Sequence, residues 1–443
     1  MLSFYRKNIW LVAYVTLLLV VGGFWWPGVP GLWGLGIPGL ALAVGRLAGL
    51  LATVLTLGQF VLMSRLPWLE RSYGLDKLTR FHRLNGQLAI ILLLGHPVLV
   101  IYAYSRLAES GFFVEWQRVV WGHWSGVLAV VGLALFILVV TTSIRIVRSK
   151  WPYEAWYFVH LFSYLAIVAG LFHQFSMGET VNSGTLFFGF WIALYVLVGV
   201  VHLVFRILAP IYRSFHHDLR VSEVRRESQQ VVSVFISGRE LSKLRIVPGQ
   251  FMIFRFLTAG RWWQAHPFSI SQLPEDGRFR ITVKELGDFT GQLPDLPVGS
   301  RVIAEGPFGV FTHLVLSRTK VLLIAGGIGI TPIRVLLEEM VRTGVDVVLL
   351  YSGRFGELVF RDEIDDLISR FGGRVEYIYT ETGEVDPNTG RLDREKIKRL
   401  VPDLDQREVY ICGPDRMMVD LRRELEQGGL KDQYIHVERF ALI

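Results

Sequence analysis

Six long apolar segments dominate the first half of this 443-residue sequence, at about 9–26, 40–63, 83–104, 122–144, 156–176 and 186–208. Each is long enough to cross a bilayer as a helix, which takes roughly 20 residues. After Arg213 the sequence changes to short charged segments broken by glycine and proline. With 51% of its residues hydrophobic, the chain is too apolar for an ordinary soluble enzyme. We therefore predict a six-helix membrane domain over 1–213, followed by a soluble half.

Basic residues are concentrated in the links on one side of these predicted spans, and the opposite links contain only Arg106 and Arg118. Cytoplasmic links of membrane proteins contain the excess of Lys and Arg. The distribution predicts a multi-pass protein of the cell membrane with both termini, and hence the soluble half, in the cytoplasm. The basic residues of the richer side are Arg6, Lys7, Arg65, Arg71, Lys77, Arg80, Arg145, Arg148 and Lys150.

The net charge of +7 does not indicate a nucleic-acid partner, because the soluble half has no basic run interleaved with aromatic residues. The positive charge is instead typical of contact with the lipid bilayer. Cys412 is the one cysteine, which excludes a disulfide framework and a cysteine-based metal site. No obligatory protein partner is evident from the sequence.

Four histidines lie inside two of the predicted spans, where an imidazole is costly unless something binds it. His82 and His96 are in the third span, and His160 and His173 are in the fifth. Both spans run in the same direction, so His82 matches His160 in depth and His96 matches His173. The separations of 14 and 13 residues correspond to about 21 and 19.5 Å along a helix. Two such helices can hold two haems between them, each haem bound by one histidine from each helix.

Two observations leave this interpretation open. The first is the alternative that the four histidines are unrelated and that each is bonded to a backbone carbonyl or a neighbouring helix. In addition, 13 helical residues place the second side chain about 140° away from the first, whereas 14 residues return to within about 40°. We therefore expect a local deviation of the fifth span at Gly170.

Arg46 places a charge in the outer half of the second span. Such a charge predicts a partner, either a propionate of an outer haem or an anion formed near it. The alternative is that the side chain extends to the outer membrane surface.

Two different patterns divide the soluble half. Residues 214–318 contain short alternating strands separated by turns, which predicts a small antiparallel β-barrel. Residues 319–443 alternate strands with helices, which predicts an α/β doubly wound parallel sheet.

A glycine-rich turn, GGIGITP, follows the first strand of this second part and precedes a helix. Backbone N–H groups and a helix N-terminus at such a turn can bind a pyrophosphate. Glycine lets the phosphates approach closely, a threonine here is predicted to cap the helix, and proline suits its first turn. The predicted pyrophosphate residues are Gly326, Gly327, Gly329, Thr331 and Pro332.

Three further stretches carry side chains suited to nucleotide binding. The HPFSIS stretch, residues 266–271, offers a donor, a rigid turn, an aromatic ring and a hydroxyl that can hold a flavin and its phosphate, although it is also an ordinary strand end. Gly287 and Thr290 lie in a loop that can receive a second phosphate. Ser352 and Arg354 follow the second strand of the sheet, where a cation can bind a 2′-phosphate and favour NADPH over NADH, unless it is simply a solvated surface residue.

The ordered set FHR…H, YEAWYFVH…H, HPFS, GDFT, GGIGITP, CGP and terminal ERF resembles the NADPH oxidase/ferric reductase transmembrane family. The soluble half is similar to ferredoxin–NADP reductases. The resemblance covers nearly the whole chain. It implies an FAD domain over 214–318, an NADPH domain over 319–443, and two b-type haems bound by His82 with His160 and by His96 with His173.

The resemblance also implies roles for individual residues. Cys412, Gly413 and Pro414 match the segment near the nicotinamide, and Phe440 matches a C-terminal aromatic residue that covers the flavin ring. Cys412 as a small core residue and Phe440 as ordinary packing are the structural alternatives. Arg46 matches the family's second-span arginine. The residues that match the two flavin segments are His266, Pro267, Phe268, Ser269, Lys284, Gly287 and Thr290.

Three functions are compatible with these residues. The first is transfer of electrons from NADPH across the membrane to O2, giving superoxide. The second uses the same path to reduce a ferric or other metal chelate. The third is a transporter or metal-binding module in which the four histidines hold ions and the tail senses a nucleotide. Animal oxidases of the resembling family have a further histidine where this chain has Val100, which leaves the external acceptor open.

Overall fold

The computed structural model describes residues 2–148, 150–151, 153–182, 184–260, 262–380 and 389–439. The chain divides into two compact units, Met1–Arg206 and Ile207–Ile443. Six helices of the described residues are long and apolar enough to cross a membrane, which confirms the six predicted spans. The helices of the first unit are α1 (Leu2–Trp25), α2 (Gly36–Leu62), α3 (Pro67–Tyr73), α4 (Leu75–Leu107), α5 (Phe112–Trp121), α6 (Trp124–Ser143), α7 (Arg145–Arg148), α8 (Tyr153–Ser176) and α9 (Leu186–Leu203).

Close helix pairs form through small residues in the first unit. Helix α2 packs along α4, and α6 packs along α8. A Cβ added at Gly45 of α2 would lie 3.0 Å from the side chains of Leu99 and Val100 on α4. Membrane helices approach closely where such small residues lie, because packing rather than water exclusion holds them together. The large apolar side chains that remain exposed, such as Ile91 and Leu186, suit contact with lipid.

The second unit begins with α10 (Ala209–His216) and an antiparallel sheet. Its strand order is β1-β2-β5-β4-β3-β6. The edge strands are joined by one isolated bridge, Arg220 to Arg301, and the sheet is not closed. The predicted barrel is therefore wrong in this respect, because closure needs a continuous ladder between the edge strands. The strands are β1 (Arg220–Ser228), β2 (Val231–Ser237), β3 (Phe251–Phe256), β4 (His266–Glu275), β5 (Arg278–Lys284) and β6 (Val302–Phe308).

The last part of the chain forms a five-stranded parallel sheet with the order β11-β10-β7-β8-β9. Helix α11 packs on one face of the sheet and α14 on the other, where each buries a separate apolar cluster. The order reverses between β7 and β10, so the loops after these two strands leave in opposite directions and form a crevice. The elements are β7 (Lys320–Gly326), α11 (Ile330–Arg342), β8 (Asp346–Gly353), α12 (Arg361–Phe371), β9 (Arg374–Tyr379), α13 (Arg394–Leu400), β10 (Glu408–Cys412), α14 (Asp415–Gln427) and β11 (Ile435–Glu438).

Candidate functional site

The four membrane histidines form two facing pairs between α4 and α8. The ring centres of His82 and His160 are 6.1 Å apart, and those of His96 and His173 are 6.3 Å apart. Two imidazoles joined by a direct hydrogen bond would have ring centres about 5.2 Å apart, since N···N is about 2.9 Å. Two imidazoles bound to opposite sides of one metal ion would be about 6.4 Å apart, with metal–nitrogen bonds of about 2.0–2.1 Å. The observed separations are longer than the first arrangement requires and leave room for the second.

In two of these four rings, the Nδ1 nitrogen contacts a polar group of the protein that orients the ring. His96 Nδ1 lies 2.8 Å from the carbonyl oxygen of Gly45, and His160 Nδ1 lies 3.3 Å from the hydroxyl of Ser143. A metal-bound histidine commonly makes such a bond with its other nitrogen, which orients the ring. The Nδ1 atoms of His82 and His173 are buried and have no hydrogen-bond partner of normal geometry. In His96 and His160 this arrangement leaves Nε2 as the atom available for a ligand.

Gly170 does not deform the fifth span as predicted. Helix α8 is a continuous α-helix from Tyr153 to Ser176. Gly170 instead lies where α6 approaches α8, and a Cβ added at Gly132 would be 3.2 Å from the Gly170 backbone nitrogen. The small residue therefore serves helix packing, and both histidine pairs form without a break in the helix.

Arg46 is paired with a protein carboxylate. Its Nη2 lies 2.5 Å from Oε2 of Glu179, in the link between α8 and α9. Tyr104 on α4 donates a 3.4 Å hydrogen bond to the other Glu179 oxygen. The predicted haem propionate remains a prediction, but the sequence did not identify Glu179 because it lies 133 residues away from Arg46.

The predicted flavin residues lie together on β4 and in the loop after β5. His266 stacks on Phe289 with ring centres 3.8 Å apart, and Phe268 lies 6.3 Å from the same ring. Pro267 is in the same strand, and Ser269 is buried. The stacked rings form an aromatic surface beside the polar loop, which suits a flat ring system with phosphates.

The loop after β5 has a defined local structure. The hydroxyl of Thr290 accepts hydrogen bonds from the backbone N–H groups of Leu286 and Gly287, at 2.9 and 3.0 Å. It also donates to the Gly287 carbonyl. Lys284 at the end of β5 forms a 3.2 Å ion pair with Glu357. These contacts hold the loop beside β8, within the same unit as the parallel sheet.

The glycine-rich turn lies at the crevice between β7 and β10. Gly326 ends β7, and Gly327 has a φ of +52°, which favours glycine. A Cβ at Gly329 would collide with the carbonyl oxygen of Cys412 at the end of β10. The chain therefore needs glycine here for the two loops to meet.

Further predicted residues surround this crevice. Gly413 and Pro414 follow β10, and the Pro414 ring lies 2.8 Å from the position of a Cβ at Gly326. Thr331 lies inside the first turn of α11 and donates to the Ile328 carbonyl. Its predicted role as the helix cap is wrong, because the cap position is Gly329. Pro332 lies in the first turn, as predicted.

Cys412 is completely buried at the end of β10. Burial, together with the charge of Glu438, raises the pKa of its thiol well above the ordinary value. Glu438, which sequence reasoning did not single out, is opposite Cys412 in the pairing of β10 with β11. The feature of the sequence that could have identified Glu438 is its position two residues before Phe440. Phe440 itself lies outside the described residues.

Ser352 and Arg354 lie at the carboxyl end of β8, as predicted. Ser352 is buried, whereas the Arg354 side chain is 59% exposed. Two aromatic residues that the sequence analysis did not identify also lie at this edge. The ring of Phe355 is 5.5 Å from that of Tyr379 at the end of β9. Arg361 donates a 3.1 Å hydrogen bond to the Tyr379 hydroxyl. This edge therefore combines two cations with aromatic faces, which suits an adenosine phosphate.

Comparison with known protein families gives three matches along the chain. Residues 48–171 match the ferric reductase like transmembrane component, residues 217–312 match an FAD-binding domain, and residues 323–423 match an oxidoreductase NAD-binding domain. The first match includes both histidine pairs except His173, and the other two include the flavin and pyrophosphate segments.

Individual relatives match about half of the chain. This chain is 28% identical over 229 residues to a flavohemoprotein of Candida norvegensis. The aligned region covers 48% of this chain and 55% of that protein. The chain is 34% identical over 191 residues to ferredoxin–NADP reductase B of Sorangium cellulosum, covering 39% of this chain and 77% of that protein. The chain thus spans little more than half the length of the flavohemoprotein. A ferredoxin NADP+ reductase structure from Neisseria gonorrhoeae, with bound FAD and NADP, covers 50% of this chain and 98% of that chain at 18% identity, with a TM-score of 0.45.

Proposed function

Because the chain belongs to the ferric reductase-like transmembrane family, with a soluble half of the ferredoxin–NADP reductase type, we propose that it transfers electrons across a membrane. The donor is cytoplasmic NADPH, the path is FAD and two b-type haems, and the acceptor lies on the outer side. The single observation that supports this path best is the pair of histidine separations, 6.1 and 6.3 Å.

The donor set favours haem over a bare metal ion. Among the residues that the structure describes, no cluster of three or more His, Cys, Asp or Glu side chains could hold a metal. Each histidine pair would supply two ligands, and a bound haem would bring the remaining ligands of its iron. His82 with His160 would hold one haem, and His96 with His173 the other. Bound flavin and haem would supply the conversion of two-electron hydride chemistry into one-electron transfer.

The chain's own residues have binding and positioning roles in this proposal. The turn from Gly326 to Gly329 offers backbone N–H groups to the pyrophosphate of the nucleotide. Arg354 and Ser352 bind the 2′-phosphate and favour NADPH. His266, Phe268 and the Thr290 loop bind the flavin. The buried Cys412 lies beside the glycine turn, where the nicotinamide would lie.

The distribution of Lys and Arg supports cytoplasmic termini and export of electrons through the cell membrane. We propose O2 as the external acceptor, giving superoxide. A ferric chelate is the alternative, because the family resemblance covers both kinds of enzyme. Measuring superoxide and Fe(II) from the same purified protein distinguishes the two.

The reduced-minus-oxidised spectrum of the purified full chain, with haem and flavin counted per chain, tests the path. We expect two haems and one flavin, and a Soret band that shifts when NADPH is added. Replacing His96 by Ala should remove one haem and stop export, while NADPH still reduces the flavin. His123→Ala is the matched control, since His123 lies at the start of α6 and has no predicted ligand role. Protein that retains its flavin but binds no haem after haem supplementation would contradict the proposal and favour an ion-binding role for the histidines.

A further inference from the structure

One ion pair lies at the end of the membrane unit where the proposed path leaves the protein. His96 is bonded to the carbonyl of Gly45, and Arg46 is the next residue. Glu179 follows His173 by six residues, beyond the end of α8. Arg46 therefore directly follows the residue whose carbonyl contacts His96, and Glu179 lies a short distance along the chain after His173.

The two partners differ in exposure. The Arg46 side chain is 20% exposed and the Glu179 side chain is 61% exposed. The carboxylate is therefore the more accessible partner of the pair. The hydroxyl of Tyr104 donates to the Glu179 carboxylate, and the side-chain amide of Asn182 donates to the Glu179 backbone carbonyl, which helps to fix this position. An exposed ion pair of this kind adds little to stability, so its main consequence is for the local charge.

The remaining positive and negative side chains at this end of the membrane unit are also equal in number. Arg118 forms a 2.8 Å ion pair with Glu115, which is itself buried. Arg106 and Glu109 complete the charged residues of the links at this end. The three arginines at this end are thus equal in number to the three carboxylates, and Arg46 is paired with one of them, Glu179. A surface without net positive charge gives no electrostatic steering to an anion.

We propose that Glu179 is a specificity-determining residue for the external electron acceptor. By neutralising Arg46, it disfavours anionic acceptors and leaves the site open to uncharged or cationic ones. The inference rests on the proposed function, since it requires electrons to leave near His96 and His173.

Proteoliposomes that hold the full chain with FAD and haem, loaded with NADPH inside, test this proposal. The acceptors outside are ferricyanide, hexaammineruthenium(III) and O2, so only molecules with the soluble half inside contribute. In Glu179→Gln we expect the ratio of the ferricyanide rate to the hexaammineruthenium rate to rise about tenfold at low ionic strength, with a small change for O2. The effect should shrink in 1 M salt, where the Debye length is about 3 Å.

Glu109→Gln is the matched control, because it removes one exposed carboxylate from the same end and should change the ratio much less. A readout that needs no turnover is labelling of Arg46 by phenylglyoxal, followed by mass spectrometry. Labelling should be faster in Glu179→Gln than in the wild type and unchanged in Glu109→Gln.

The outcomes separate the two proposals. Wild-type proteoliposomes that reduce none of the three acceptors would contradict the proposed function. Wild-type activity with the same acceptor ratio in Glu179→Gln and Glu109→Gln would overturn the role of Glu179. Equal labelling of Arg46 in all three proteins would also overturn it, because the pair would then not cover the guanidinium.

Discussion

Arg280 and Glu363 form a two-bond ion pair, with Nη1–Oε1 and Nη2–Oε2 distances of 2.7 and 2.8 Å. Arg280 lies on β5 of the antiparallel sheet and is 2% exposed, whereas Glu363 lies on α12 beside the parallel sheet. Arg334 on α11 contacts the same carboxylate at 3.0 Å, and the Arg280 guanidinium lies 4.2 Å from the ring centre of Phe360. The buried guanidinium of Arg280, in the flavin-binding part, is thus neutralised by the carboxylate of Glu363, in the nucleotide-binding part.

We expect Glu363→Gln to destabilise the second unit by about 1–2 kcal/mol. Breaking a fully buried pair costs about 3–5 kcal/mol, and the 36% exposure of Glu363 reduces this figure. Thermal unfolding of the purified full chain, followed by flavin release, measures the change. Glu426→Gln, which alters the exposed pair with Arg422, should have an effect below about 1 kcal/mol. Equal effects of the two variants would contradict the importance of the buried pair.

The same pair predicts a pH dependence. Burial alone would raise the pKa of Glu363, but the hydrogen bonds and charges of Arg280 and Arg334 outweigh it and lower the pKa. A carboxyl whose pKa is lowered by folding stabilises the folded state above its unfolded pKa, about 4.3, and loses this contribution as the pH falls through the folded value. The stability difference between wild type and Glu363→Gln should therefore be largest above about pH 5 and shrink below about pH 4. A difference independent of pH would show that the charge is not the cause.

Gly49→Ala should weaken the proposed second haem site. A Cβ at this position would lie 2.7 Å from His96 Nδ1 and 2.9 Å from Cε1, so the ring must move. We expect haem content to fall from about two toward one per chain, measured by absorbance against protein concentration. Gly199→Ala on α9 is the control, because a Cβ there meets nothing within 4 Å. Full haem content in Gly49→Ala would mean that His96 is not held as the structure has it.

Arg354→Ala should reduce the preference for NADPH. A charge-assisted bond to a 2′-phosphate is worth about 1.5 kcal/mol or more, so we expect KM for NADPH to rise about tenfold. KM for NADH should stay nearly constant, which makes NADH the internal control. Steady-state rates with both nucleotides measure the effect, and Arg423→Ala on α14 should change neither value. A parallel rise of both KM values would indicate a general loss of binding instead.

The thiol of Cys412 should be unreactive in the folded protein. Its burial and raised pKa keep it protonated, and the thiolate is the reactive form. We expect maleimide labelling at pH 7 to be on the order of 100-fold slower in native than in unfolded protein. Mass spectrometry gives a clear readout because the chain has one cysteine. Rapid labelling of native protein would contradict the buried position.

Features that depend on local periodicity could be predicted from the sequence. Segment length and hydropathy predicted six spans, and the shared direction of the third and fifth spans predicted that His82 pairs with His160. The glycine turn after β7 was also predictable, because the need for glycine comes from the local path of the chain. Each of these properties is set by residues that are close together along the chain.

Features that depend on distant contacts required the tertiary structure. The partner of Arg46 is 133 residues away, and that of Arg280 is 83 residues away. We expected Gly170 to distort α8, but Gly170 instead packs against Gly132 of α6. We also expected a closed barrel, but the antiparallel sheet is not closed. The sequence by itself thus determined which segments are helical and which histidines form pairs. The packing of these segments decided which charges meet, because a side chain's partners depend on how elements are arranged in space and not on their spacing in the chain.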